Sequence, residues 1–248
     1  MIQIIIQARL SSTRMPGKVL QPFVGEQSIL ELQIKALRTL KLPIVLATTT
    51  NPNDDALEEF ANKHEIECYR GSEDDVLGRF VVATEAEYII RICSDNPFLD
   101  LASITSFVEQ LEQGVDYVSF KNAEGTPAIR THWGLFAEVV SRKALVKAHE
   151  ATEKHPDGSF YREHVTNYIY GHPEKFKVKL LEAPGIIIDR NDLRFTIDTP
   201  EDFENMQKLY QIIEKEGGDF SLENLVKTTD AHPEIKKVME EGIARFSK

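Results

Sequence analysis

The succession of apolar runs and helical repeats predicts an α/β protein built on a doubly wound, mainly parallel sheet. Short apolar runs recur at residues 4–6, 44–47, 66–69, 88–93 and 117–120. Between them stand stretches with apolar residues at helical spacing, and turn-forming residues separate the two kinds. Strands alternating with helices require right-handed crossovers, which lay the strands parallel. In such sheets ligands bind beyond the carboxyl ends of the strands.

Each element has a local reason. Ser28 and Glu31 form a capping box ahead of Leu30, Ile34, Leu37 and Leu40, so a helix follows the first strand and its loop. The breaker at residues 51–53 precedes a helical pattern on Leu57, Phe60 and Ala61. An acidic stretch at residues 71–75 leads into a helix expected over 76–86, and Asp100 caps one expected over 101–113. Residues 125–137, with the single tryptophan Trp133, read as extended structure outside the main sheet. Trp133 is then a core anchor or a contact between copies. Ser141 caps a helix over 142–151, a further helix is expected over 160–170 and a strand over 176–181. Residues 195–197 read as another strand, directly before a box in which Thr199 is the cap, Pro200 the first helical residue and Asp202 its closing member. That helix stops at Gly217 and Gly218, and charged helices follow residue 221.

The 248 residues suit one large domain, 1–248, with an excursion around 121–140. A net charge of −11 and a pI near 5.2 argue against a general nucleic-acid binder, whose affinity rests on many Lys and Arg. Cys68 and Cys93 lack Cys-x-x-Cys spacing, lie in apolar runs and read as core residues of a protein in a reducing compartment. No apolar run is long enough for a signal peptide or a membrane span, so a cytoplasmic location is expected. The seven histidines show no zinc-ligand spacing.

The most informative stretch is residues 7–20, which places Arg9, Arg14 and Lys18 among small hydroxyl residues after the first strand. A solvated basic loop is one reading of these cations. The other is a polyphosphate grip, since Arg gives forked hydrogen bonds and Lys a mobile point charge. Pro16 and Gly17 shape the turn that returns Lys18 towards Arg14. The stretch lacks the upstream Gly and the Ser/Thr of a P-loop, and the chain has no Gly-x-Gly-x-x-Gly. Asp95 and Asp198 each follow an expected strand. They form an Asx turn and a helix-terminal charge, or they are the two carboxylates that hold Mg2+ beside a polyphosphate.

The string from Ile5 to Leu20 closely resembles the nucleotide-binding signature of sugar-acid cytidylyltransferases, especially the spore coat polysaccharide biosynthesis type. The resemblance continues through Ala47-Thr48-Thr49, Gly71-Ser72-Glu73-Asp74-Asp75-Val76-Leu77, Arg91-Ile92-Cys93-Ser94-Asp95-Asn96-Pro97, Arg162-Glu163-His164-Val165-Thr166 and Arg194-Phe195-Thr196-Ile197-Asp198-Thr199-Pro200, in order. Two departures stand out. Gly78 replaces the acidic residue usual before Arg79, and the Gly-Thr-Asp-Arg block of the keto-deoxy-octulosonate enzymes is missing.

This resemblance implies a Rossmann-like fold of the nucleotide-diphospho-sugar transferase kind, often dimeric, that joins CMP from CTP to an acidic sugar and releases pyrophosphate. The excursion around 121–140 is then the expected dimer contact. By position, Ala8, Arg9, Ser11, Ser12, Arg14, Lys18 and Thr48 bind the nucleotide, and Gly71, Ser72 and Asp74 line the base pocket. Lys18, Arg14 and Asp95 are the expected catalytic residues, and Asp95 and Asp198 bind Mg2+. Arg162, Glu163 and His164 are assigned to the acceptor, a surface role for Arg162 and Glu163 being the alternative. A nucleotide-sugar glycosyltransferase is the competing enzyme, and a non-catalytic nucleotide-binding subunit the competing class.

Overall fold

The computed structural model describes residues 1–111 and 114–246. In chain order the elements are β1 (Ile2–Gln7), β2 (Pro22–Val24), β3 (Gln27–Ser28), α1 (Ile29–Leu37), β4 (Ile44–Thr49), α2 (Asp55–Lys63), β5 (Glu67–Gly71), α3 (Val76–Ala83), β6 (Tyr88–Cys93) and α4 (Leu101–Glu109). Then come β7 (Tyr117–Lys121), β8 (Glu138–Ser141), α5 (Arg142–Thr152), α6 (Gly158–Glu163), α7 (Asn167–Tyr170), β9 (Val178–Glu182), α8 (Pro200–Lys215), α9 (Leu222–Ala231) and α10 (Pro233–Arg245).

Seven strands make one sheet in the order β5-β4-β1-β6-β8-β7-β9. β5, β4, β1 and β6 are parallel, β8 runs antiparallel to both β6 and β7, and β7 pairs in parallel with β9. Strands buried on both faces read as continuous apolar runs, and Ile4, Ile5 and Ile6 of β1 are fully buried. Each such side chain contributes about 1.5–3 kcal/mol of burial. One face packs against residues such as Leu30 and Ile34 of α1, Phe107 of α4 and Leu209 of α8. The other packs against Leu77 and Phe80 of α3, Leu145 of α5 and Ile169 of α7.

From β1 the chain builds outward through β4 and β5, then crosses back to add β6 on the other side of β1. That reversal opens a crevice at the carboxyl ends of β1 and β6. The residue 8–20 loop and Asp95 both leave from it.

Several local expectations need correction. β8, which falls in the expected excursion of 121–140, enters the main sheet, whereas residues 125–137 stay outside it as expected and Trp133, 1% exposed and edge-on to Phe136, is a core anchor. Helix α3 ends at Ala83 rather than 86 because Thr84 turns extended and its hydroxyl takes the Ala86 N–H at 2.9 Å. The helix expected over 160–170 is two short pieces, broken where Val165 adopts φ +41°. Helix α4 ends at Glu109, and positions 112 and 113 of its expected span lie outside the described residues. Residues 195–197 form no strand; they are an extended segment tied down by single backbone bonds.

Candidate active site

The loop after β1 is anchored from below and charged above. Met15 and Val19 are buried in the core, and Leu30 N–H donates to Val19 O at 3.2 Å. Gly17, at φ +70°, donates to Leu10 O at 3.0 Å and makes the turn that returns Lys18 into the crevice. The buried Asp54 carboxylate accepts the Leu10 N–H at 2.7 Å and the Thr49 hydroxyl, fixing the start of the loop. Across the crevice, Gln33 of α1 donates to Cys93 O at 3.0 Å and Asn96 O at 2.8 Å, which sets the turn carrying Asp95.

Asp198 arrives by another route. Phe195 N–H donates to Trp133 O at 3.2 Å and Ile197 N–H to Asp95 O at 3.0 Å. These two bonds do what strand pairing was expected to do. Asp202, at the head of α8, then accepts the Asp198 N–H at 2.9 Å and the Thr199 N–H at 3.0 Å. The same carboxylate holds Arg194, which is 1% exposed, through bonds of 3.1 Å to Nε and to Nη2.

These elements bring Ala8, Arg9, Ser12, Arg14, Lys18, Asp95 and Asp198 to one cavity of about 250 Å³. Lys18 Nζ lies 3.5 Å from Asp95 Oδ2 and 3.9 Å from Asp198 Oδ1, and donates to Ile197 O. Asp198 takes one guanidinium on each oxygen, Arg14 at 2.7 Å and Arg194 at 2.7 Å. Burial raises the Asp198 carboxyl, but the Arg194 hydrogen bond and the charges of Lys18, Arg194 and Arg14 outweigh it and hold the group below its ordinary value. The ring of Phe246, just beyond α10, lies 4.6 Å from the Arg14 guanidinium and 5.6 Å from that of Arg194.

Accessibility separates the cations. The side chains of Arg9 and Arg14 are each 44% exposed, whereas Lys18 is 9% exposed. An entering polyanion therefore meets the two arginines first and the lysine at the floor. Arg9 also lies 3.6 Å from Glu73 Oε1. The hydrogen bonds of Ser11 and Asn51 hold the Glu73 carboxyl below its ordinary value, with Arg9 and Arg79 adding to the effect.

The other expected site residues are placed less uniformly. Ser11 faces the Glu73 carboxylate at 2.7 Å, and Gly71, Ser72 and Asp74 flank that same loop, with Ser72 Oγ accepting the Asp75 N–H at 3.1 Å. Thr48 is fully buried within β4 and lines no part of the cavity. Arg162 reaches Asp75 at 3.5 Å, a carboxylate that also meets His149 at 2.7 Å. Glu163 and His164 are exposed, His164 with its ring against Phe160. None of these three lines the cavity that holds Lys18. Cys93 is half-buried and lines that cavity, rather than filling the core.

Sequence reading quoted Glu73 and Arg194 within motif blocks but gave them no role, and it missed Asp202 as a carboxylate partner and Phe246 altogether. It also missed a buried network in which Arg91 pairs with Glu138, Glu138 accepts from Tyr117 and from Thr166 at 2.9 Å, and Arg91 donates to Gln7 at 3.2 Å beside the cavity. Charged residues inside strands were the available signal. Asp95 and Asp198 are the hard oxygen donors of the cavity. Among the described residues no group of three or more His, Cys, Asp or Glu is placed to hold a metal ion, so a cation at these two carboxylates would complete its shell with water or ligand oxygens.

A larger groove of about 750 Å³ lies at the opposite ends of the strands, beside Tyr88, Asp116 and Lys177. The converging cations and carboxylates favour the smaller cavity. Among the described residues no helix is long and apolar enough to cross a membrane.

Comparison with known proteins bears on the same chain segments. The family model for Cytidylyltransferase matches residues 3–223. Spore coat polysaccharide biosynthesis protein SpsF of Bacillus subtilis is 35% identical over 243 residues, covering 94% of this chain and 95% of that protein. The protein MJ1063 of Methanocaldococcus jannaschii is 37% identical over 244 residues, 94% of this chain and 92% of that one. A solved cytidylyltransferase from Leptospira borgpetersenii superposes with a TM-score of 0.77 at 27% identity, over 94% of this chain and 95% of that one. The sheet order is thus that of a nucleotidyltransferase of the nucleotide-diphospho-sugar transferase fold. With a match running from β1 through the start of α9, the chain belongs to the cytidylyltransferase family and is a nucleotidyltransferase.

Proposed function

We propose that this enzyme joins CMP from CTP to an acidic sugar or a related anionic acceptor, with release of pyrophosphate, in surface polysaccharide or glycan biosynthesis. The observation that carries the reading is the cavity at the β1/β6 reversal, where Arg9, Arg14 and Lys18 face Asp95 and Asp198. The spore coat polysaccharide role in the name of the Bacillus subtilis relative supports the product class.

Arg9 and Arg14 receive the β- and γ-phosphates, and Lys18 sits at the floor beside the α-phosphate. An acceptor oxygen attacks the α-phosphorus, the bond to the β-phosphate oxygen breaks, and the acceptor's proton leaves to solvent. Lys18 and Arg14 offset the charge that grows on the departing pyrophosphate. Asp95 and Asp198 suit Mg2+, which takes one or two carboxylates and completes its shell with phosphate oxygens and water. When bound it neutralises phosphate charge in the transition state. Asp198 also keeps Arg14 and Arg194 in register before the nucleotide arrives.

The test is pyrophosphate release from CTP with a panel of acidic sugars. Lys18→Ala is expected to lower turnover by about 10²-fold or more, the size of losing one preorganised electrostatic contact. A near-normal rate removes Lys18 from the chemistry. Turnover of a nucleotide sugar but not of CTP would instead establish a glycosyltransferase, and CTP binding without any transfer a non-catalytic subunit.

A further inference from the structure

Helix α10 ends beside Arg14 of the cavity. Phe246 follows its last turn and is tied to it, its N–H donating to Gly242 O at 3.0 Å and to Ile243 O at 3.2 Å. Further back, Ile235 and Met239 are buried in the core, and a Cβ on Gly242 would lie 3.1 Å from Arg194 Cδ. The ring is thereby fixed beside the two guanidiniums that share Asp198. Arg14 Cζ stands over it at 4.6 Å from the centroid and Arg194 Cζ at 5.6 Å, both within cation–π range. The cytidylyltransferase model matches residues 3–223, so α10 and Phe246 lie beyond the segment that identifies the family.

The two arginines differ in what this contact can do for them. Arg194 is 1% exposed and already bonded to Asp202 and Asp198, so it needs no further anchor. The Arg14 side chain is 44% exposed, and among the described residues its one hydrogen bond runs from Nη2 to Asp198. A long exposed side chain with a single anchor loses rotamer freedom when a phosphate binds, and that loss subtracts from affinity. A second carboxylate would steady Arg14 but would occupy N–H groups that the phosphates use. An aromatic face attracts the cation above it and leaves those donors to the ligand.

We propose that Phe246 is a positioning residue for the triphosphate: its ring holds the Arg14 guanidinium in place before the β- and γ-phosphates arrive. The carboxy-terminal helix is then part of the nucleotide site. The proposal rests on a nucleoside triphosphate occupying this cavity with Arg14 beyond the α-phosphate.

The experiment is equilibrium titration with CTP, UTP and CMP, magnesium present, of the wild type, Phe246→Leu, Phe246→Tyr and Phe246→pentafluorophenylalanine. The last keeps the shape of the ring and reverses the charge of its face. Phe246→Leu and Phe246→pentafluorophenylalanine are expected to bind CTP about 2- to 10-fold more weakly, the size of ordering one long side chain on binding. Both should bind CMP as the wild type does, because its single phosphate meets Lys18 and not Arg14. Phe246→Tyr should keep wild-type affinity for both ligands. In an Arg14→Met background, Phe246→Leu should weaken CTP no further. Equal losses for CTP and CMP overturn the proposal in favour of a structural role, and so does a Phe246→Leu loss that persists in Arg14→Met. Wild-type CTP affinity in Phe246→pentafluorophenylalanine also overturns it, and this variant decides if Phe246→Leu does not fold. A wild type that binds UTP as tightly as CTP overturns the CTP reading alone, because the effect of Phe246 is then read on UTP against UMP. A wild type that binds no triphosphate overturns both.

Discussion

Asp202 shows how one residue serves fold and site together. As the closing member of a capping box it accepts the N–H groups of Asp198 and Thr199 just ahead of α8, and its second partner is Arg194, buried behind Asp198. Burial raises the Asp202 carboxyl, but the hydrogen bonds and charge of Arg194 outweigh it, so the group stays below its ordinary value. A carboxyl lowered in the folded state contributes stability that is full above its unfolded value and lost as pH falls through the folded one. Asp202→Ala leaves the Arg194 cation buried without this partner and is expected to cost about 3–5 kcal/mol. Urea unfolding at pH 7 measures this, and a wild-type midpoint that falls below pH 4 more steeply than the variant's identifies the ion pair as the cause. The box was legible because it spans four consecutive positions. The pairing with Arg194 was not, because its geometry depends on the extended residues 194–198 bending around α8.

At the scale of elements, the unpaired segment before α8 matters more than any strand for bringing Asp198 to Asp95. It is held against the loop at Trp133 and Gly134, where the backbones approach so closely that a Cβ on Gly134 would lie 2.6 Å from Thr196 N. Gly134 also sits at φ +61°, where a side chain is strained. Gly134→Ala is therefore expected to destabilise the protein by about 1–3 kcal/mol. It should also lower turnover at saturating nucleotide, because Asp198 is displaced; unchanged turnover would mean that this contact does not place Asp198. Apolar periodicity predicted residues 195–197 as a strand because it reports burial, and burial here comes without ladder pairing. The break at Val165 was hidden for a similar reason. Residues 160–170 keep a helical repeat, yet Val165 departs to φ +41° and places Thr166 against Glu138 in the Arg91 network.

Across the whole molecule, the parallel half of the sheet was readable from apolar runs and caps alone. The insertion of β8 between β6 and β7 was not, because its four residues carry no hairpin turn and lie next to the cap of α5. The cation loop and both aspartates were found from residue type and from their place after expected strands; the sheet reversal gathers the loop and Asp95, and the unpaired segment before α8 adds Asp198 to the same cavity. What the chain hides is the supporting shell: Asp54, Glu73 and Phe246 each act from a distant segment on a residue the motif names, and Arg194 turns back onto Asp198 from within the same segment. A ligand that binds only the folded chain raises its unfolding temperature. The decisive measurement is the thermal unfolding of the wild type and of Asp95→Asn with each of the four nucleoside triphosphates, with and without magnesium. A rise specific to CTP, dependent on magnesium and reduced in Asp95→Asn, is the expected result. Equal rises with all four triphosphates, or a rise with none, would contradict a CTP site at this cavity.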